Sequence, residues 1–318
     1  MSPRICYVAK KFTPAHEDVI DKANEIIGVY EAQGYQLTLR QLYYQFVARD
    51  LIPNRVQEYK RLGAIVNDAR LAGRIDWEAI EDRTRNLHRL SSWNDPAHLV
   101  VSAAHQYRID KWETQPYRVE VWIEKEALAG VFERVCDELN VPFFACRGYT
   151  SQSEMWVAAQ RLRGYVEQNQ TPVILHFGDH DPSGIDMTRD IRERLELFSG
   201  DTVRLDRLAL NMDQIEEYDP PPNPAKETDS RFQAYLAEYG DESWELDALE
   251  PDTLAQMVRD AVGALRDDDE WDAKVEEEDE GRGSLLKVSR RWDRVQSFLQ
   301  SDDEPDSDDE GETDDDAE

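Results

Sequence analysis

The residues Pro172-Val-Ile-Leu-His-Phe177 form a nearly continuous apolar run that ends on Gly178-Asp179-His180-Asp181-Pro182-Ser183-Gly184. A run without polar alternation suits a strand buried on both faces, which is typical of a parallel sheet covered by helices. Its surroundings repeat that grammar. Strands are expected at 119–123, 141–147, 172–178 and 203–210, with helices near 126–139, 153–167 and 184–198, the second opened by a capping box at Ser151-x-x-Glu154. The fold class is therefore α/β, with an open sheet.

Asp179 and Asp181 lie one residue apart at a strand end, so their carboxylates can converge on a hard cation. A third acid has a matching context upstream. The alternating strand Val119-Glu-Val-Trp-Ile123 ends in Glu124, and Leu128, Val131, Phe132, Val135 and Leu139 continue as a helix. Open α/β sheets bind ligands outside the carboxyl ends of their strands, so Glu124, Asp179 and Asp181 are expected at one crevice as metal ligands. His180 and His176 are expected to be structural, and Lys125 a surface or phosphate-neutralising group.

The N-terminal part is helical. Val19, Ala23, Ile26, Ile27 and Tyr30 mark a helix over 15–34 that stops at Gly34. A second opens at Thr38, with Leu39, Leu42, Tyr43, Phe46 and Val47 as its apolar stripe. A third spans about 56–71, and 74–77 is expected as a short strand or wing. Three helices with a basic third one suggest a helix-turn-helix or winged-helix module, and residues 36–90 hold ten Arg or Lys against seven acids. Arg55, Lys60, Arg61, Arg70 and Arg74 are the candidate DNA contacts. On the second helix Tyr43 falls within the stripe, whereas Tyr44 falls on the opposite side near Arg40, so Tyr43 is expected to be packed and Tyr44 presented. A phenol with a pKa of about 10 needs a nearby cation and a polarised electrophile to react at neutral pH. Arg40 can supply the first and the three acids can hold a metal for the second.

The net charge of −31 would argue against nucleic acid, but residues 267–280 and 301–318 carry −21 of it. Both segments are expected to be disordered, flanking one amphipathic helix over 285–299. Arginine outnumbers lysine, which suits a high-salt cytoplasm; alternatively the tail is a DNA mimic that suppresses unguided cleavage, or simply a solubilising segment. Cys6, Cys136 and Cys146 have no metal-ligand spacing, and no apolar stretch approaches the roughly 20 residues of a membrane span. A cytoplasmic, nucleoid-associated protein in a reducing compartment is expected.

Thr38-Leu-Arg-Gln-Leu-Tyr-Tyr44 resembles the Arg-x-x-Tyr-Tyr motif in the CAP-like winged-helix domain of the topoisomerase VI A subunit and the meiotic double-strand-break transesterase. Ile123-Glu-Lys-Glu-Ala127, Arg147-Gly-Tyr149 and Asp179-His-Asp-Pro-Ser-Gly184 resemble, in order, the Toprim domain of that family. The likeness covers about 35–215 and is most like the stand-alone short relatives. It implies a CAP-like domain over 1–112, a Rossmann-like Toprim domain with a helical extension over 113–266, and an acidic region over 267–318. It further implies that Tyr44 attacks a DNA phosphodiester while Arg40 contacts the scissile phosphate. Mg²⁺, or Mn²⁺ in its stead, would be held by Glu124, Asp179 and Asp181, with Glu124 also counted as catalytic. A homodimer in which one subunit's tyrosine meets the other's acids is expected. No nucleotide-binding loop occurs in the sequence, so strand passage would need a separate ATPase subunit. The alternatives are a Toprim nuclease that activates water and a non-catalytic DNA-binding regulator.

Overall fold

The computed structural model describes residues 4–80 and 90–302. In chain order, α1 (Pro14–Ala32), α2 (Leu39–Ala48) and α3 (Val56–Leu71) precede α4 (Pro96–Gln106). An alternating stretch follows: β1 (Tyr117–Ile123), α5 (Ala129–Glu138), β2 (Phe143–Ala145), α6 (Gln152–Glu167), β3 (Thr171–Phe177), α7 (Pro182–Ser199) and β4 (Arg204–Ala209). The remainder is α8 (Met212–Tyr218), β5 (Asn223–Pro224), α9 (Phe232–Tyr239), β6 (Glu242–Ser243), α10 (Pro251–Gly263), α11 (Asp268–Arg290) and α12 (Trp292–Asp302). Among the described residues no helix is long and apolar enough to cross a membrane.

The chain forms two compact units, residues 1–87 with 115–267, and residues 88–114 with 268–318. α1–α3 and the sheet share one unit. Thr38 starts α2 as a capping box, its hydroxyl accepting from the Gln41 amide at 3.2 Å while Gln41 Oε1 accepts from the Thr38 amide at 2.8 Å. The strand expected at 74–77 does not form. Arg70 donates to the carbonyls of Trp77 and Ile80, and among the described residues a lone parallel bridge joins Leu37 to Ile80.

The sheet is parallel throughout, in the order β2-β1-β3-β4. Register sets Ile123 beside both Ala145 and Phe177, so β1 and β3 end level with each other. β1 was expected to alternate. Instead it is buried on both faces, and its one acid, Glu120, is held by Arg161 at 2.8 and 2.9 Å and by the Trp122 indole at 3.0 Å. One face of the sheet packs Trp122 and Ile174 against Met155 and Leu162 of α6 and Ile191 and Leu195 of α7. Phe132 of α5 packs edge-on against Phe177 of β3.

In the second unit the acidic run, expected to be disordered over 267–280, is helical from Asp268 onward. Asp268, Asp269 and Glu270 sit in the first turn of α11, where carboxylates offset the helix dipole, and Trp271 packs edge-on against Trp112. Glu278 is buried and accepts from Lys111 at 2.6 Å and from the Ile109 amide at 3.1 Å. Gly281 lies where a Cβ would come within 2.5 Å of the Tyr107 ring. The segment 285–299 divides between α11 and α12 rather than forming one helix. Residues 303–318, the expected tail, lie outside the described residues.

Candidate functional site

After β1 the chain returns through α5 to β2 on one side, then crosses through α6 to β3 on the other, so the switch point of the sheet lies between β1 and β3. Crevices at such points are the ligand sites of open α/β sheets. Glu124 and Asp179 leave the sheet there. The Glu124 amide donates to Phe177 O at 2.8 Å, and the Asp179 amide donates to Glu124 Oε2 at 2.8 Å. Residues 55 apart in sequence are thus tied backbone to side chain.

The loop 178–184 is shaped by three devices. Asp181 is the N-cap of α7, its Oδ1 accepting from the Gly184 amide at 2.6 Å and from Ser183 Oγ at 2.9 Å. Gly184 permits close approach: a Cβ there would lie 2.2 Å from Asp179 O and 3.1 Å from Glu124 Oε2. Arg207, from β4, donates to the carbonyls of Gly178, Asp179, Gly184 and Leu210 and to Thr188 Oγ1. Nothing in the sequence singled it out. Burial lowers its pKa from the ordinary guanidinium value.

His180 is structural, as its place in a strand-like segment implied. Its backbone pairs with Trp244 in both directions, at 2.8 and 2.9 Å, and Nδ1 lies 2.8 Å from Tyr235 Oη. Burial, then Arg207, lowers its pKa to about 4. His176 is fully buried with Nδ1 3.0 Å from Thr188 Oγ1, and burial lowers it to about 3.

The His180 bridge seats a segment that the sequence reading passed over. Glu245 and Asp247 follow it, and they surround the cations of the site. Lys125 Nζ lies 2.8 Å from Asp179 Oδ2, 2.7 Å from Glu245 Oε2 and 3.3 Å from Asp247 Oδ1. Arg40 Nε lies 2.9 Å from Asp247 Oδ2, and its Nη2 also pairs with Glu245 Oε2. Burial penalises the Lys125 ammonium, but Asp247, Asp179 and Glu245 outweigh it and raise the pKa. Lys125 is therefore a buried hub, so of the two roles expected for it, surface or phosphate-neutralising, the first does not hold. Glu245-x-Asp247 has the spacing of Asp179-x-Asp181, yet in a chain of 68 acids that spacing carries no contrast.

Tyr44 is the main correction. It is 4% exposed, not presented, because α2 packs against the short turn Leu246–Ala248 on the side that a helical wheel leaves open. Its hydroxyl lies 3.5 Å from Arg40 Nη2; burial, with Asp247 and Glu245 behind it, raises its pKa. Burial opposes the Glu245 charge, but Lys125 and Arg40 hold it down at about 2. Tyr43 is packed as expected, its hydroxyl donating to Asn54 Oδ1 at 2.9 Å and accepting from the Arg55 amide at 2.8 Å.

A cleft of about 760 Å³ opens over this network, lined by Arg40, Arg55, Glu124, Lys125, Asp179, Asp181, Lys226 and Glu245 among others. All three predicted acids therefore meet at one crevice. Each is already engaged: Asp179 Oδ1 accepts from the Leu246 amide at 2.8 Å and Oδ2 faces Lys125, while Glu124 and Asp181 each use one oxygen on the loop backbone. Burial raises Glu124 despite the Asp179 amide and Lys125, and burial raises Asp179 to about 7 against the pull of Lys125. Among the described residues no three His, Cys, Asp or Glu side chains are grouped as a metal-ligand set. The donor chemistry, all carboxylate oxygen, fits a hard divalent ion, and such an ion would reach Asp179 by exchange with Lys125.

The predicted DNA contacts separate. Arg55 lines the cleft, and Lys60 is exposed on α3. Arg61 pairs with Glu58 at 3.0 Å, and Arg74 pairs with Glu17 at 2.7 Å. Arg70 is turned inward to its two carbonyls and over the Trp77 ring. No family model, curated protein or solved structure matches the chain.

Proposed function

We propose that this chain cleaves DNA by transesterification, with Tyr44 as nucleophile, Arg40 and Lys125 as phosphate-neutralising cations, and Glu124, Asp179 and Asp181 as metal ligands. One observation carries the reading: Arg40, Tyr44 and Lys125 converge within a single chain on one point beside the three acids, at the switch point of a parallel sheet, so this reading draws tyrosine and acids from one chain where the resemblance implied different subunits. In the reaction, Tyr44 Oη forms a bond to phosphorus as the bond to the 3′ oxygen breaks. The tyrosyl proton is lost, the 3′ oxygen gains one, and a 5′-phosphotyrosyl link with a free 3′-hydroxyl remains. Mg²⁺ bound by the acids would supply charge stabilisation at the phosphoryl oxygens. Arg40 orients the phosphate bidentately, and Lys125 adds a point charge. The partners that go with this reading are double-stranded DNA, a second copy of the chain for paired cuts, and a separate ATPase subunit where strands are to be passed.

A hydrolytic nuclease is the second reading, favoured by the burial of Tyr44 and by its absence from the cleft lining. A denaturing gel of protein with labelled duplex and Mg²⁺ or Mn²⁺ separates the two. Transesterification gives a protein–DNA adduct from wild type and Tyr43→Phe but none from Tyr44→Phe. Cleavage without an adduct, unchanged in Tyr44→Phe, establishes hydrolysis and ends the tyrosine mechanism.

A further inference from the structure

We propose that Glu245 is a built-in phosphate mimic, occupying the position of a DNA phosphate between Arg40 and Lys125 and holding the cleft against DNA until it is displaced. This rests on the reading of the cleft as a DNA site.

Cations from two distant parts of the chain converge on one carboxylate. A single atom, Glu245 Oε2, is held both by the Arg40 guanidinium and by Lys125 Nζ at 2.7 Å, and the Tyr44 hydroxyl lies beside them, 3.5 Å from Arg40 Nη2. Those are the three groups that a scissile phosphate has to meet. An anionic oxygen bridging a guanidinium and an ammonium, with a hydroxyl donor beside it, is the coordination of a phosphoryl oxygen.

The neighbouring acid plays a different part. Asp247 has a fully buried side chain, whereas that of Glu245 is 25% exposed and lines the cleft. Asp247 pairs with Arg40 Nε at 2.9 Å and Lys125 Nζ at 3.3 Å, so both cations keep their positions when Glu245 turns out. The backbone of the segment stays anchored through the His180–Trp244 bridge, so rotation of one side chain is sufficient. With Glu245 in place, an incoming phosphate meets a like charge on cations that are already neutralised.

The test uses the full chain in a Tyr44→Phe background, so that binding is read without chemistry. Affinity for a short labelled duplex is measured by fluorescence anisotropy across a salt titration. Glu245→Gln is expected to tighten binding roughly tenfold or more, the scale produced by removing a like charge from an interface. Glu242→Gln, which removes the same charge from an exposed position on β6, is expected to leave affinity unchanged. Glu245→Ala serves as a second variant because Asp247 still neutralises both cations. Unchanged or weaker binding by the Glu245 variants, an equal gain in Glu242→Gln, or no binding by any protein overturns the proposal. Tighter binding by Glu245→Gln with no adduct from wild type would keep the mimic and discard the transesterase.

Discussion

Replacing Lys125 by methionine removes the ammonium on which Asp179, Glu245 and Asp247 converge, at 2.8, 2.7 and 3.3 Å. Deleting one partner of a buried pair costs about 3–5 kcal/mol, because the other charge is left without compensation. Arg40 still faces Glu245 and Asp247, so the exposed charge falls on Asp179, whose other partner is the Leu246 amide. The lower end, about 3 kcal/mol, is expected at high pH, where Asp179 is ionised in both proteins. Its pH dependence follows from the same geometry. Burial has lifted Asp179 to about 7 while Lys125 opposes it, so the variant's carboxyl moves higher still. An acid raised above its unfolded value stabilises the fold only while protonated, and that contribution fades as pH climbs from about 4 towards the folded value. Lys125, with its pKa raised, stays charged throughout that range. The gap between wild type and variant therefore widens with rising pH. Hydrogen exchange of the Asp179 and Leu246 amides reads it locally: the gap opens above about pH 7, where wild-type Asp179 ionises, reaches roughly tenfold faster exchange in the variant at about pH 8, and closes towards about pH 5. Equal protection in the two proteins, or a gap that grows as pH falls, refutes the reasoning.

Two further outcomes check other parts of the fold. Gly184→Ala drives a Cβ to 2.2 Å from the Asp179 carbonyl, and overpacking of this kind is expected to cost about 1–3 kcal/mol or more and lower the thermal midpoint; an unchanged midpoint contradicts the described loop. Glu278→Gln is expected to destabilise α11 by about 3 kcal/mol at neutral pH, read as faster exchange of the Ile109 amide. Burial opposes the Glu278 charge, but Lys111 and the Ile109 amide hold its pKa below the ordinary carboxylate value. Its contribution is thus present above that ordinary value and lost as pH falls through the folded one, where wild type and variant should converge.

The elements legible in the sequence were those whose cause is local. The strand 172–178 showed as a continuous apolar run, Thr38 and Ser151 as caps, and Gly34 as a stop, and each stands within a few residues of its expected place. The meeting of Glu124 with Asp179 was also legible, because it follows from strand ends in a parallel sheet. What escaped depends on partners far along the chain. The acidic run of α11 reads as disordered until Lys111, over 150 residues away, neutralises Glu278. Arg70 and Arg74 read as DNA contacts because composition records charge but not the carbonyls and Glu17 that engage it.

The misplacement of Tyr44 and the omission of Glu245 have a single origin. A helical wheel finds the face that α2 turns to its own core, and it is blind to a second layer laid over the other face. Here that layer is the turn Leu246–Ala248, which covers Tyr44, and the residue just before it is Glu245, which occupies Arg40 and Lys125. On the proposed function, burial of the nucleophile and neutralisation of its cations are consequently one structural event. A phosphate that displaced Glu245 would free Arg40 Nη2 4 residues away on the same helix and take over as the group that Arg40, Lys125 and Tyr44 face. Access of DNA to the cations and readiness of the tyrosine would then be coupled through one carboxylate, so the two should respond together to any change at position 245.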